Sequence, residues 1–586
     1  MPPSAAQDQR FITPANAMAA LAASLPSLLA YNVAPSPTFL NQALAFALWP
    51  AFVLASAPRL GWRGQGALQT ALALLVAAAA WSWLAASLPA SLALSAIGSL
   101  LAAAVMVSGG AGVRGPGAGP TAVDVFAAFC WGWVVAGVLN VGVGALQVFT
   151  PGLVDGDWIA HSGYAGRAVG NLRQPNHLSS LLLWSCIAVA VLLQLGRIGR
   201  RWAVAIFAAL VFTVVLTASR TGLVSVLLLA VWGAADRRLS RPVRGLLISA
   251  PLIYALAWLG MAQWAALSAH SFGGTQRLAE TDISSSRFAI WRDTLALIRQ
   301  QPWTGVGFGE FNYAWTLTPS PHRPVALFDH THNLPLQLAV ELGLPLAALI
   351  TGLLLWALWL GVRRAWVAQG EVGTAQRSAM VMVLMIGLHS LLEYPLWYSY
   401  FLLPAAWAWG YALWQTAPAA GAAPEAAAPS MPLAVANLLI VAGAVLSVLD
   451  YNRVVVIFTA EGTTTPLEQR IAEGQRSVLF AHHADYAAVT SGVALADPAH
   501  AFDRATHYLL DTRLMIAWAQ SLAAQGRVDE ARFVAERLRE FRKPDAQEFF
   551  EPCPVAGPAD AASAAERPFQ CALPTRAPGW RELAAH

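Results

Sequence analysis

The sequence predicts an all-α, polytopic membrane protein that ends in a smaller α-helical domain. Three observations carry this. The chain of 586 residues is 57% hydrophobic with a mean hydropathy of +0.52. Only 12% of its residues are charged, where a soluble domain carries about 25%. Apolar runs of about twenty residues recur up to residue 450, and polar amphipathic sequence follows. A charge at the centre of a membrane span costs roughly 2.5–3.5 kcal/mol, so a chain this poor in charge suits a bilayer. The formal net charge of +4 is spread over short loops, so no nucleic-acid partner is expected, whereas membrane lipid is.

About thirteen spans are expected, bounded by Arg, Gly or Pro. They lie near 15–32, 38–57, 67–87, 90–108, 122–149, 177–195, 202–218, 222–236, 245–267, 334–361, 378–393, 396–416 and 432–450. The N-terminus shows no small-residue cleavage site after a short apolar run, so no removable signal peptide is expected. Three regions follow: a multi-span part at 1–451, a helical domain at 452–552 and a Pro/Ala-rich tail at 553–586. Loops 150–176 and 268–333 belong to the first.

Arginines set the orientation. Arg59 and Arg63, Arg114, then Arg197, Arg200 and Arg201 fall on alternate connections. Arg237, Arg238, Arg241 and Arg244, then Arg363, Arg364 and Arg377, continue the alternation. Basic residues mark the cytoplasmic side. The 417–430 linker has no basic residue and is neutral in this respect. The opposite side, the periplasm in a bacterium, receives the two long loops, the corners at 219–222 and 389–398, and everything after 451. Arg167, Arg173, Arg220, Arg287 and Arg292 defy the bias there. Singly each is a solvated loop charge; together, close to the membrane, they suit an anionic group.

The polar motifs sit on that same side. In "GRAVGNLRQPNHLSSLLLW" (166–184) a turn leads into a helix with His177 at its start, where unpaired N–H groups favour anions. Asn171, Gln174 and Asn176 are hydrogen-bonding groups, and Asn176 reads best as a cap. Arg220 occupies the tight "ASRTG" turn, with snorkelling to lipid phosphate as its plainer role. In 285–311, Arg287, Phe288, Trp291, Leu295 and Ile298 fall at helical spacing, and "PWTGVGFGEF" then turns. Its glycines lack the strand–turn–helix context of a nucleotide site. Asp329, His330, His332 and Asn333 precede the next span. Histidines at i and i+2 without cysteine do not suit zinc, so no metal site is expected. A histidine at the membrane boundary suits a general base. Glu341, nine residues on, should face protein rather than lipid. In "HSLLEYPLWYSYFLLP", His389 and Glu393 share a helix face at i and i+4, and Pro395 ends the span. Tyr394 accompanies them, while Trp397 and Tyr398 suit an interfacial aromatic belt.

His332, Asn333 and Gly343 form an HN-x9-G pattern that resembles the O-antigen ligase/polymerase (Wzy/WaaL) superfamily; Leu346 stands where that family usually has Gly, Thr or Tyr. "GNLRQPNHL" and "HSLLEYPLWYSYFLLP" resemble its PglL-type branch, the bacterial protein O-oligosaccharyltransferases. The resemblance covers most of 15–450. It implies a GT-C-like, metal-independent glycosyltransferase without a cofactor, in the bacterial inner membrane. Such an enzyme moves a preassembled glycan from undecaprenyl pyrophosphate to Ser or Thr of a pilin or other exported protein. In these terms Arg287 and Arg220 would stabilise the leaving pyrophosphate and His332 would take the acceptor proton. Arg167, Asn171, Gln174, His177, Asn333, Glu393 and Tyr394 would bind donor or acceptor. "DGD" at 155–157 is a weak echo of a metal-binding DxD. O-antigen ligase and polymerase are the rival readings within the superfamily. A transporter is more remote, because the charged groups gather at one face rather than at the midplane.

Beyond Asn452, amphipathic helices are expected at 464–482, 498–524 and 527–543, and "AQGRVDEARFVAERL" resembles one tetratricopeptide turn. Cys130 and Cys186 fall inside spans as core residues. Cys553 and Cys571 lie in the tail, where an oxidising compartment would allow a disulfide.

Overall fold

The computed structural model describes residues 14–56, 64–113, 121–268, 270–275, 285–414, 430–459, 463–493, 498–553 and 568–584. Arg59, Arg63, Arg114, the first thirteen residues and most of the 417–430 linker lie outside the described residues. Every regular element among the described residues is helical. In chain order these are α1 (Pro14–Leu28), α2 (Phe39–Ala55), α3 (Gly66–Ala85), α4 (Ala90–Ala111), α5 (Ala122–Phe149), α6 (Pro175–Gln194), α7 (Arg200–Thr217) and α8 (Arg220–Ala235). Then come α9 (Arg241–Ile248), α10 (Ala250–Leu267), α11 (Ser285–Gln300), α12 (Phe311–Leu317), α13 (Leu334–Val367), α14 (Gly370–Ser390), α15 (Ser399–Ala412) and α16 (Met431–Phe458). The C-terminal part holds α17 (Leu467–Gly474), α18 (Ala481–Thr490), α19 (Pro498–Thr506), α20 (Thr512–Ala524), α21 (Val528–Glu540), α22 (Pro544–Phe550) and α23 (Trp580–Ala584).

Each of the thirteen expected spans falls on helix, and the protein is a multi-pass membrane protein. Among the described residues eight segments are long and apolar enough to cross a bilayer: 66–85, 90–111, 122–149, 175–194, 200–217, 241–267, 334–367 and 431–458. α2 and α8 are shorter apolar helices. The expected 122–149 helix has those bounds, because Thr121 and Asp124 form a reciprocal capping box at its start. Three expectations need correction. The 378–393 span begins earlier, at Gly370, because the buried Arg377 donates to Asp236 at 2.7 Å and so stays inside the helix. It ends at Ser390, five residues before Pro395, although Glu393 N–H still donates to the His389 carbonyl at 2.9 Å and so keeps the two residues one turn apart. The 334–361 span is interrupted at Gly343, whose φ of 74° is not helical.

The chain divides into two compact units, one of residues 1–72, 101–281 and 353–448, the other of 73–100, 282–352 and 449–586. In the first unit α6 is the centre: every residue from Leu178 to Leu192 is buried. It packs on α5, α7 and α14, and α5 packs on α1. Small residues permit these approaches without a water-driven hydrophobic term. A Cβ on Gly110 would sit 2.0 Å from the Trp407 carbonyl, and one on Gly410 2.0 Å from that of Val107. An aromatic cluster of Trp49, Phe129, Trp133 and Trp407 fills the space between helices. Arg364 donates to the carbonyls of Gly64 and Leu413, and Arg244 to that of Gly233.

In the second unit one apolar core joins α11 and α12 to the C-terminal helices, through Ile290, Leu297, Phe311, Trp315, Leu514 and Phe533. The apolar face of α11 differs from the expected one. Ile290, Thr294, Leu297 and Ile298 are buried, while Phe288 and Leu295 are 61% and 43% exposed. The expected 464–482 helix is interrupted at 475–480, where Asp450 accepts from Ser477 Oγ and Leu479 N–H. The expected 498–524 helix is interrupted before Asp511, which caps α20 through Leu514 N–H. Arg323, 1% exposed, donates to Glu540 at 2.7 Å and to the Trp315 carbonyl at 3.0 Å. Cys553 and Cys571 are disulfide-bonded, with Cα atoms 5.2 Å apart. Cys130 and Cys186 are buried thiols.

Candidate active site

The sequence-predicted residues gather in two groups, one in each unit. In the first unit the 166–184 segment is held by an amide that sequence reasoning passed over. Gln147, buried on α5, accepts from the N–H groups of Val169 and Gly170 at 2.9 and 2.8 Å and donates to the Ala160 carbonyl at 2.7 Å. An amide in an otherwise apolar run was the signal for it. Asn171 is 1% exposed and fully engaged: it accepts from Ala160 N–H at 2.9 Å and donates to the carbonyls of Leu28 and Trp158. It holds the loop together. Arg173 reaches the Ala30 carbonyl at 2.6 Å from a backbone with φ 59°.

Gln174 stands at the N-cap of α6, yet its side chain does not cap. Its Oε1 is shielded from solvent and accepts no hydrogen bond from the described residues. An unmatched buried acceptor in a native fold calls for a partner. Pro175 opens the helix, where its missing N–H costs nothing. Asn176 then links three elements. Its Nδ2 donates to Glu393 at 3.1 Å, and its Oδ1 accepts from Ser219 at 2.7 Å. Ser219 caps α8 through Gly222 N–H at 3.0 Å and accepts from Ser179. His177 is 2% exposed and bonds Tyr400 at 3.1 Å beneath the Tyr398 ring at 4.5 Å. It is therefore a buried support of the helix start rather than an open anion-binding group. His389, 0% exposed, bonds Ser180 at 2.8 Å. Tyr394 stacks on Tyr398 at 6.2 Å.

Arg167 and Arg220, the two arginines proposed for the donor in this unit, differ. Arg167 is buried, with Nε on the Thr217 carbonyl at 2.9 Å and its guanidinium 5.0 Å over the Tyr164 ring. Its stem lies on Gly273, where a Cβ would fall 2.1 Å from Cγ. Arg220 is exposed at the first position of α8, directly after the Ser219 hub. In the 155–157 stretch, Asp155 accepts from three N–H groups, of Asp157, Trp158 and Ile159, and so builds a turn.

In the second unit the 329–333 stretch precedes α13. Asp329 and His330 pair at 3.0 Å. Asn333 caps α13, accepting from Leu336 N–H at 3.0 Å. His332 is half-buried, stands 5.3 Å edge-on to Phe328 and has φ 55°. A left-handed backbone costs a residue with a Cβ about 1–2 kcal/mol, and such strain concentrates at working sites. Arg287 lies half-buried in the first turn of α11. Glu341 is 7% exposed and accepts from Gln337 at 2.9 Å. The glycines of 302–310 serve close approach: Gly307 N–H donates to the Glu341 carbonyl at 3.0 Å, and a Gly305 Cβ would lie 2.4 Å from it. A Gly343 Cβ would sit 2.3 Å from the Trp303 carbonyl. Sequence reasoning also missed Glu310 and His507, a buried pair 2.6 Å apart under the stacked ring of Tyr313.

This arrangement can be set beside known proteins. Residues 168–193 match the family model described as protein glycosylation ligase. Residues 203–351, which hold Arg220, Arg287 and His332, match that of the O-antigen ligase. Residues 378–550 match that of the virulence factor membrane-bound polymerase, C-terminal. A general O-oligosaccharyltransferase of Acinetobacter baylyi is 28% identical over 49% of this chain and 50% of its own length. A ComP-specific O-oligosaccharyltransferase of the same organism is 25% identical over 44% of this chain and 46% of its own. The chain thus spans about half the length of the curated relatives it matches. Apart from Arg167, the motif residues of both units fall inside the matched segments, and over those segments the chain is similar to protein glycosylation ligases and O-antigen ligases.

Proposed function

We propose that the protein is a protein O-oligosaccharyltransferase. It takes a preassembled oligosaccharide from undecaprenyl pyrophosphate and delivers it to Ser or Thr hydroxyls of a pilin or other exported protein. The observation that carries this is the glycosylation-ligase match over 168–193 together with two relatives named O-oligosaccharyltransferases. The basic connections support an inner-membrane protein whose two motif groups and C-terminal helices, a tetratricopeptide-like domain at 452–552, face the periplasm. Residues 1–451 are the transferase part and 553–586 a tail.

In the reaction the acceptor oxygen attacks the anomeric carbon, and the bond from that carbon to the phosphate oxygen breaks. Undecaprenyl pyrophosphate leaves with the electron pair. His332 takes the hydroxyl proton as general base, the role that histidine side chains most often fill in such transfers. Arg287 and the exposed Arg220 stabilise the charge developing on the leaving group. Arg167 fixes the loop that carries the donor site, and Gln174 offers its unmatched Oε1 to a donor or acceptor hydroxyl. Tyr394 and Glu393 bind beside it. Asn171, His177 and Asn333 contribute by holding these groups in place. The reading needs no metal or cofactor.

Reconstitution with undecaprenyl-pyrophosphate-linked glycan and a pilin, read by intact-protein mass spectrometry, tests it. Glycan mass on the pilin, at least 100-fold slower with His332→Ala, is expected. Transfer to lipid A core alone would make the protein an O-antigen ligase, as the 203–351 match would allow. Joining of repeat units without an acceptor would make it a polymerase, in line with the 378–550 match. Full activity of His332→Ala would remove that residue from the chemistry.

A further inference from the structure

The residue beside His332 is held at every polar atom. Thr331 is 0% exposed. Its N–H donates to Gln337 Oε1 at 2.8 Å. Its carbonyl accepts from the Trp291 indole N–H at 2.9 Å. Its hydroxyl donates to the Asn333 carbonyl at 2.9 Å and accepts from Asn333 N–H at 3.3 Å. Gln337 is fixed in turn by Glu341 Oε1 at 2.9 Å.

These bonds do more than stabilise a turn. The φ and ψ of His332 are set by the orientation of the two peptide groups that flank it. The carbonyl of the first is held by Trp291, and the N–H of the second is held by the Thr331 hydroxyl. The left-handed backbone at φ 55° is thus held by the Trp291 side chain of α11 and by the Thr331 hydroxyl. The imidazole leaves the backbone in a direction that a relaxed histidine would not give it.

We propose that Trp291 and Thr331, backed by Gln337 and Glu341, form a brace that positions His332 for proton transfer. They are positioning residues and touch no reacting atom. The proposal rests on the transferase reading above for its kinetics, but the geometry of the brace is independent of it. Positioning matters steeply in such steps: a misplacement of about 1 Å can cost on the order of 100-fold.

Two near-isosteric variants of the full-length protein in nanodiscs test it. Trp291→Phe keeps the ring and loses the donor; Thr331→Val keeps the volume and loses the hydroxyl. With an undecaprenyl-pyrophosphate-linked disaccharide and a pilin, each should lower kcat about 10- to 100-fold with KM for the lipid-linked donor within about twofold. Combined with His332→Ala, neither should slow the reaction further, because residues acting through one group are not additive. The second readout needs no turnover. Diethyl pyrocarbonate modification of His332, followed by peptide mass spectrometry, should change in rate at least about threefold in both variants, with the exposed His322 unchanged. An equal loss in the His332→Ala background, or unchanged modification of His332 in both variants, overturns the brace. Full activity of His332→Ala overturns the catalytic reading instead, and the modification rates then decide the brace alone.

Discussion

Replacing Arg323 by alanine should loosen the second unit at one known point. Arg323 is 1% exposed, and its guanidinium lies between the rings of Trp315 and Phe541, 4.9 and 4.8 Å from their centroids. It donates to Glu540 at 2.7 Å, to the Trp315 carbonyl at 3.0 Å and to the carbonyls of Thr316 and Thr318. Alanine removes these donors and leaves buried acceptors that water cannot easily reach. Glu540 keeps Arg537 at 3.0 Å, which limits the damage on that side. Removing one partner of a buried ion pair costs about 3–5 kcal/mol, and the lost ring contacts act in the same direction. At 1.36 kcal/mol per decade this is a fall in hydrogen-exchange protection of α12 and α21 of at least about 100-fold. Exchange followed by mass spectrometry on the detergent-solubilised protein measures it. The paired change Arg323→Met with Glu540→Leu should recover only part of the protection, because Arg537 then loses Glu540 and the carbonyls of Trp315, Thr316 and Thr318 stay unmatched. A change below about fivefold in Arg323→Ala would show that the guanidinium does not hold this region together.

Two further outcomes are expected. Burial holds His482 well below the ordinary histidine range and His483 down to about 4. Both are neutral when folded, and the unfolded chain takes up their protons first as pH falls below about 6.5. Stability is therefore full above that pH and declines towards about pH 4, by about 3 kcal/mol for His483. Denaturant midpoints at pH 7.5 and 5 measure this, and His483→Phe should flatten the dependence. Opening the Cys553–Cys571 bridge with Cys553→Ser should remove about 3 kcal/mol from the tail's docking, the value for a loop of this length. Peptide mass before and after reduction, with proteolysis rates at 568–584, checks it.

Much of the fold was legible because a helix that crosses a bilayer needs a long apolar run, which is a local property of the sequence. The 122–149 helix is an example, with its capping box written in Thr121 and Asp124. The proposed site residues stand out in the sequence as polar groups in apolar surroundings: His332, Arg220, Gln174 and Glu393 are singled out in this way. Their partners are not. Gln147 and Gln337 are ordinary amides in sequence, and only the fold brings them to the 169–170 loop and to Thr331. His177 looked like an open anion-binding group because nothing in its own segment reveals that Tyr398 and Tyr400 cover it.

The sequence by itself determined that the chain is helical, membrane-embedded and polar in a few named places, since hydropathy and spacing are local properties. Only the tertiary structure decided where helices start and break, which face is buried and what conformation the central histidine adopts. Arg377 stays inside a helix because Asp236 meets it, 141 positions away in the chain. The helix at Gly343 breaks against the backbone of Trp303. His332 is held left-handed by Trp291 and Thr331. Asp236 with Arg377, Trp303 with Gly343 and Trp291 with Thr331 are contacts between distant segments, and their energy exists only once the chain has brought them together.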